Sequence, residues 1–89
     1  MEVNLEKELN KKIKKIKGKS IKLNPIWNIG IPDRMILLPG SKIYFIEFKE
    51  KSKVSKAQKV WIDWLIWAGF DARIIKGKKE LDIFLKEIT

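Results

Sequence analysis

The chain has 89 residues, 45% of them apolar, no cysteine and no histidine, and a formal charge of +9 carried almost entirely by lysine. The missing residue types exclude disulfides, thiolate zinc sites, histidine general bases and the Ser-His-Asp triad, so any catalysis rests on carboxylates, lysines or a hard metal held through oxygen. A chain of this length makes one small domain over residues 1–89, buries roughly 60–65% of its unfolded surface, and gains from a dimer interface. The charge points to a polyanionic partner, because basic surfaces release counterions from nucleic acid; a lysine-biased genome produces the same charge without one. No run is long enough to span a bilayer, and Met1-Glu2-Val3-Asn4 leads into charge rather than a signal-peptide core, so a cytoplasmic location without membrane contact is expected.

Asn4 caps a first helix that runs to Lys17, where Gly18 stops it. Leu5, Leu9, Ile13 and Ile16 form its apolar stripe. Glu6 sits at one edge of that stripe and Glu8 on the other flank. Both fit an ordinary surface role, favouring the helix N-terminus or pairing i,i+4 with a lysine. The lysines from Lys11 to Lys19 cover the exposed side, either as a solvated face or as one that contacts phosphate. Residues 19–23 alternate enough for a short strand. Residues 24–30 form a loop, in which Trp27 either stacks on a base or plugs the loop onto the core, the second being preferred. Gly30 permits a tight approach to the strand that begins after Pro32.

Residues 32–49 are two β-rich runs around Pro39-Gly40-Ser41 and predict a hairpin. If Leu38 and Lys42 close a three-residue loop, facing residue numbers sum to eighty and Asp33 lies opposite Glu47, with Cβ atoms about 4.5–5.5 Å apart. Alternation puts Glu47 and Lys49 on one face. Facing carboxylates repel, and a stable protein tolerates them mainly around a cation. The competing reading is an edge hairpin with charges at its open end.

A charged connector over residues 50–54 follows. Ser55 and Gln58 then have the spacing of a capping box, which accounts for both residues. In the second helix, residues 56–68, the predicted core stripe is Ala57, Val60, Trp61, Trp64, Leu65 and Ala68. Ile62, Ile66 and Trp67 fall outside it, and only Lys56, Lys59 and Asp63 form a polar arc. A helix this apolar is buried on two sides, and the second side predicts a homodimer in which Ile62 and Ile66 meet the other copy. Residues 71–75 predict a last strand, Lys76-Gly77-Lys78 a turn, and Leu81, Phe84, Leu85 and Ile88 a closing amphipathic helix. The order α-β-β-β-α-β-α is an α/β fold with a mixed sheet flanked by helices.

Gly30-Ile31-Pro32-Asp33-Arg34, then Glu47-Phe48-Lys49, then Ser55 and Gln58 before a helix, resemble the VRR-Nuc family (virus-type replication-repair nucleases) of the PD-(D/E)XK nuclease superfamily. The resemblance runs from about Leu5 to Leu85. The bare superfamily motif is weak, whereas this combination in this order is specific. It implies a restriction-endonuclease-like αβββαβ core and its strand order. It implies a deoxyribonuclease that hydrolyses phosphodiester bonds with Mg²⁺ or Mn²⁺, ions that carboxylates and water suit. The implied catalytic residues are Asp33, Glu47, Lys49 and Gln58, the last holding water or phosphate. The implied metal ligands are Asp33, Glu47, the Phe48 backbone carbonyl and a carboxylate of the first helix, assigned to Glu6 with Glu2 as the fallback. Arg34, which either holds a phosphate or braces a carboxylate, is left outside the set. Standalone members are similar to Holliday-junction resolvases. The resemblance therefore implies branched or junction-containing DNA as partner, a homodimer with paired sites, a phage or prophage source, and the cytoplasm of a bacterium or virus-infected host. Two competitors are a catalytically silent nucleic-acid-binding module of the same fold and a phage protein that binds a partner through the second helix. Asp33, Glu47 and Lys49 occurring together argue against the first.

Overall fold

The computed structural model describes residues 4–49 and 53–89. Helix α1 (Leu5–Lys15) is opened by Asn4, whose side-chain oxygen accepts the Lys7 N–H. It closes differently from the prediction. Lys17 takes the left-handed conformation (φ 64°), the Lys17 N–H donates to Lys14 O, and the Gly18 N–H donates to Ile13 O. That double closure is a Schellman end with lysine where glycine is usual. Gly18 serves packing instead: a Cβ there would stand 2.5 Å from a Leu38 methyl and 2.8 Å from Leu37 O.

Strands β1 (Lys19–Lys22), β2 (Arg34–Leu38), β3 (Lys42–Phe48) and β4 (Asp71–Ile75) form one sheet in the order β1-β2-β3-β4. The first two pairings are antiparallel and the last is parallel, reached through α2 (Lys56–Trp67). The hairpin register agrees with the count from the turn: Leu38 pairs with Lys42 and Arg34 with Ile46. Helix α3 (Lys78–Ile88) closes the described chain.

Strand alternation divides the sheet into two faces. Ile36, Leu38, Ile46 and Ile75 meet Leu5, Leu9 and Ile13 of α1 and Leu81, Phe84 and Leu85 of α3 in the larger core. On the other face Phe45, Ala72 and Ile74 meet Trp61, Ile62 and Leu65 of α2. The predicted phase of α2 is corrected here. Ile62 is buried rather than outward, while Val60, Trp64 and Ala68, expected in the core, are exposed. Gln58, Ile62 and Leu65 lie at i, i+4 and i+7, so the line that faces the sheet starts from the capping glutamine.

Two expectations for the loop over residues 24–30 also change. Trp27 does not plug onto the core; it is 84% exposed. Gly30, at φ 87°, approaches α2 rather than the strand, since a Cβ would stand 2.4 Å from the Ala57 carbonyl carbon. Glu2 and residues 50–52 of the connector lie outside the described residues. No described helix is long and apolar enough to cross a membrane.

Candidate active site

The open end of the hairpin collects the polar groups. Asp33 immediately precedes β2 and is tied to the edge strand by its backbone, Leu23 N–H donating to Asp33 O at 2.9 Å. Its carboxylate crosses the hairpin, where Oδ2 accepts the Phe48 N–H at 2.8 Å. That bond takes the place of the next ladder rung and fixes Asp33 beside the end of β3. Glu47 is flanked in its strand by Phe45 on the same face, and Ile74 is its partner in β4. Apolar neighbours and α2 leave it 2% exposed, the most buried charged side chain among the described residues.

A buried carboxylate calls for compensation. Glu47 Oε2 receives it from Gln58 Nε2 at 3.0 Å and from the Lys49 ammonium at 3.6 Å. Oε1 is buried without a hydrogen-bond partner among the described residues. Burial first, and then the Asp33 charge, raise the Glu47 pKa from 4.5 to about 7, against the opposing pull of Lys49. Gln58 is held in place by the capping box it completes: Ser55 N–H donates to its side-chain oxygen while Ser55 Oγ accepts the Gln58 N–H. One amide thus caps α2 with its oxygen and reaches the carboxylate with its nitrogen.

Asp33, Glu47, Phe48, Lys49 and Gln58 are therefore brought together. Glu6 is placed elsewhere. It projects from α1 on the opposite layer and pairs with Arg34, Nη2 to Oε2 at 3.5 Å. Arg34 also points Nη1 at Ser20 Oγ, 3.4 Å away, so it braces a carboxylate rather than standing free for phosphate. Among the described residues no three acidic, histidine or cysteine side chains form a metal-holding group. The pair of carboxylates does fit a divalent cation: two oxygen-donor groups adjoin, one oxygen is buried and unpartnered, and burial with the neighbouring Asp33 charge makes the ionised pair costly without a counter-charge. Sequence reasoning left Arg34 between phosphate and a carboxylate without naming Glu6 as the partner, and preferred the plugged to the outward Trp27. Strand parity was the available signal for the first, because it puts Arg34 on the α1 face.

Comparison with known proteins decides the family. The VRR-NUC domain model matches residues 2–79. The chain belongs to the VRR-NUC family. This is a nuclease family of the PD-(D/E)XK type, so the chain is a nuclease domain in that coarse sense. A solved structure described as a VRR_NUC domain superposes with a TM-score of 0.85, covering 96% of this chain and 94% of its own, at 22% identity. That likeness establishes the VRR-NUC fold. A search of curated proteins finds no match.

Proposed function

We propose that this VRR-NUC domain is a metal-dependent DNA endonuclease that hydrolyses phosphodiester bonds in branched DNA. The observation that carries the reading is the buried Glu47 carboxylate, with one oxygen unpartnered and the other met by Lys49 and Gln58, beside Asp33. Asp33 and Glu47 are the carboxylates that would hold Mg²⁺ or Mn²⁺, with the Phe48 carbonyl as a further oxygen. When bound, such an ion supplies water acidified for attack and charge to offset the transition state. Lys49 places its ammonium against the non-bridging phosphate oxygens, where negative charge grows as the water–phosphorus bond forms and the leaving oxygen departs. Gln58 orients the attacking water through its amide. Glu6 orders Arg34 next to Asp33, and serves as a third carboxylate only by leaving that pair.

The homodimer in this proposal uses the outer side of α2, where Val60, Trp64, Ile66 and Trp67 are exposed and Val60, Trp61 and Trp64 line an apolar pocket of about 290 Å³. Junction preference and a phage or prophage source are supported by the resemblance to virus-type nucleases.

The test is cleavage of labelled linear duplex, flap, splayed-arm and four-way-junction DNA in Mg²⁺, Mn²⁺ or EDTA. Asp33→Ala and Glu47→Ala are expected to abolish metal-dependent cutting while leaving binding in EDTA largely intact. Glu6→Gln is expected to retain more activity than either. Binding without cutting by the unaltered protein in every metal would replace the proposal with the silent binding module.

A further inference from the structure

Between β1 and β2 the chain places three large apolar side chains in solvent. Ile26, Trp27 and Ile29 are 76%, 84% and 77% exposed. The loop that carries them is anchored at several points. Asn24 Oδ1 accepts the Ile26 N–H, and the Ile31 N–H donates to Asn28 O. Leu23 and Asp33 are joined across its base, and Gly30 is pressed against the Ala57 backbone. An anchored loop holds its apolar side chains outward in a defined place instead of letting them fold back onto the core.

Its anchors belong to the site. Asp33 ends the loop, and Ala57 directly precedes the glutamine that reaches Glu47. Six peptide steps separate Trp27 from Asp33, so their Cα atoms lie within about 22 Å of one another. That distance is roughly the length of six stacked nucleotides. At the start of the loop Lys22, Leu23, Asn24 and Pro25 line a shallow pocket of about 410 Å³. A broad exposed indole, on a loop that starts at Lys22 in a chain of charge +9, matches the chemistry of a nucleobase attached to a phosphate backbone.

We propose that this loop is a stacking wedge for an unpaired base of DNA, with Trp27 as the platform and Ile26 and Ile29 flanking it. The inference rests on the nuclease reading above and names the feature of the substrate that is recognised. A fully paired duplex keeps its base faces covered by neighbours and gives Trp27 nothing to stack on. A single strand, a gap or a branch point exposes a face within a few nucleotides of the phosphate at Asp33 and Glu47. The loop therefore selects DNA with unpaired bases, while the lysines contribute without regard to pairing.

The experiment is fluorescence anisotropy in EDTA with three labelled DNAs: a single strand, a duplex with a central gap, and the same duplex fully paired. Unaltered protein, Trp27→Ala and Trp27→Phe are compared. Base stacking on an aromatic residue is worth enough that Trp27→Ala should weaken binding to the first two DNAs by about 5- to 150-fold. Affinity for the paired duplex should stay the same, and Trp27→Phe should recover most of the loss. Equal affinities for all proteins, or a uniform loss on all three DNAs, would overturn the wedge. A change of mass on a sizing column in Trp27→Ala would overturn it too, because the loop would then join two copies of the chain. Cleavage of the same DNAs by unaltered protein in Mg²⁺ is scored separately. Cutting with no selective Trp27 effect removes the wedge and leaves the nuclease; a selective effect without cutting does the reverse; no binding at all removes both.

Discussion

Glu47 owes its unusual acidity to its place in the strand. An alternating strand carries it to the α2 face, between Phe45 and Ile74, where water is excluded. Its pKa of about 7 against an ordinary 4.5 means that the fold prefers the protonated form. The sign follows from linkage. Below about pH 4.5 both folded and unfolded chains carry the proton. Between 4.5 and 7 only the folded chain does, so stability falls as pH rises through that window and stays lower above it. The full difference is about 3 kcal/mol. In metal-free protein Glu47→Gln, which keeps the shape and removes the charge, should raise stability at pH 8 by up to that amount and flatten the profile between pH 5 and 8. Urea melts at several pH values in EDTA measure this. A variant profile as steep as that of the unaltered protein would mean that Glu47 is not the titrating group. A divalent cation should stabilise the unaltered protein most above pH 7, where the carboxylate is ionised.

At the scale of the element, the hairpin and α2 differ in how much their residues disclose. The hairpin was legible because a short turn fixes its register and period-two alternation fixes its faces. Asp33, Glu47 and Lys49 could thus be brought together by counting alone. The amphipathic helices α1 and α3 were legible for a similar reason: each has a distinct polar side. Helix α2 is apolar nearly all round, and periodicity gives such a helix no phase. Its phase comes from tertiary structure, through Gln58 reaching Glu47 and aligning Ile62 and Leu65 on the sheet. Trp27 was misplaced because apolarity alone cannot tell a loop plug from an outward side chain. The correction in α2 separates two variants that the sequence treats alike. Ile62→Glu buries an unpaired charge in the smaller core and should lower stability by several kcal/mol, or prevent folding. Ile66→Glu alters a side chain that is 55% exposed, so it should leave the monomer folded and lower the melting temperature only by what a lost dimer interface contributes. If α2 joins two copies, Ile66→Glu should also convert dimer to monomer on a sizing column. A dimer that persists in Ile66→Glu would place the interface elsewhere.

For the whole molecule, the question is where the charge of +9 meets the backbone of DNA. Lys7, Lys11, Lys14 and Lys15 are all exposed, on the side of α1 turned away from the buried Leu5, Leu9 and Ile13. The first turn of this helix lies by the open end of the hairpin, since Glu6 contacts Arg34 there. Asp33 and Glu47 lie on the other layer from α1, so DNA that reaches both the carboxylates and the lysine face must pass round the open end of the hairpin. A merely solvated face would have the same exposure and no effect on binding, and salt distinguishes the two. Each phosphate neutralised by a lysine contributes about −0.9 to the slope of log affinity against log salt on duplex DNA. Replacing Lys7, Lys11 and Lys14 together by glutamine should reduce the magnitude of that slope by about three and weaken binding on paired and unpaired DNA alike. The fold should be unaffected, because none of the three side chains is buried. An unchanged slope would assign the face to solvent and move the phosphate contacts to other lysines, beginning with Lys22 beside the loop of Trp27. A slope reduced by three, with selectivity for unpaired bases intact, would instead separate the two functions of the surface: lysines on α1 for the backbone and the loop for the base.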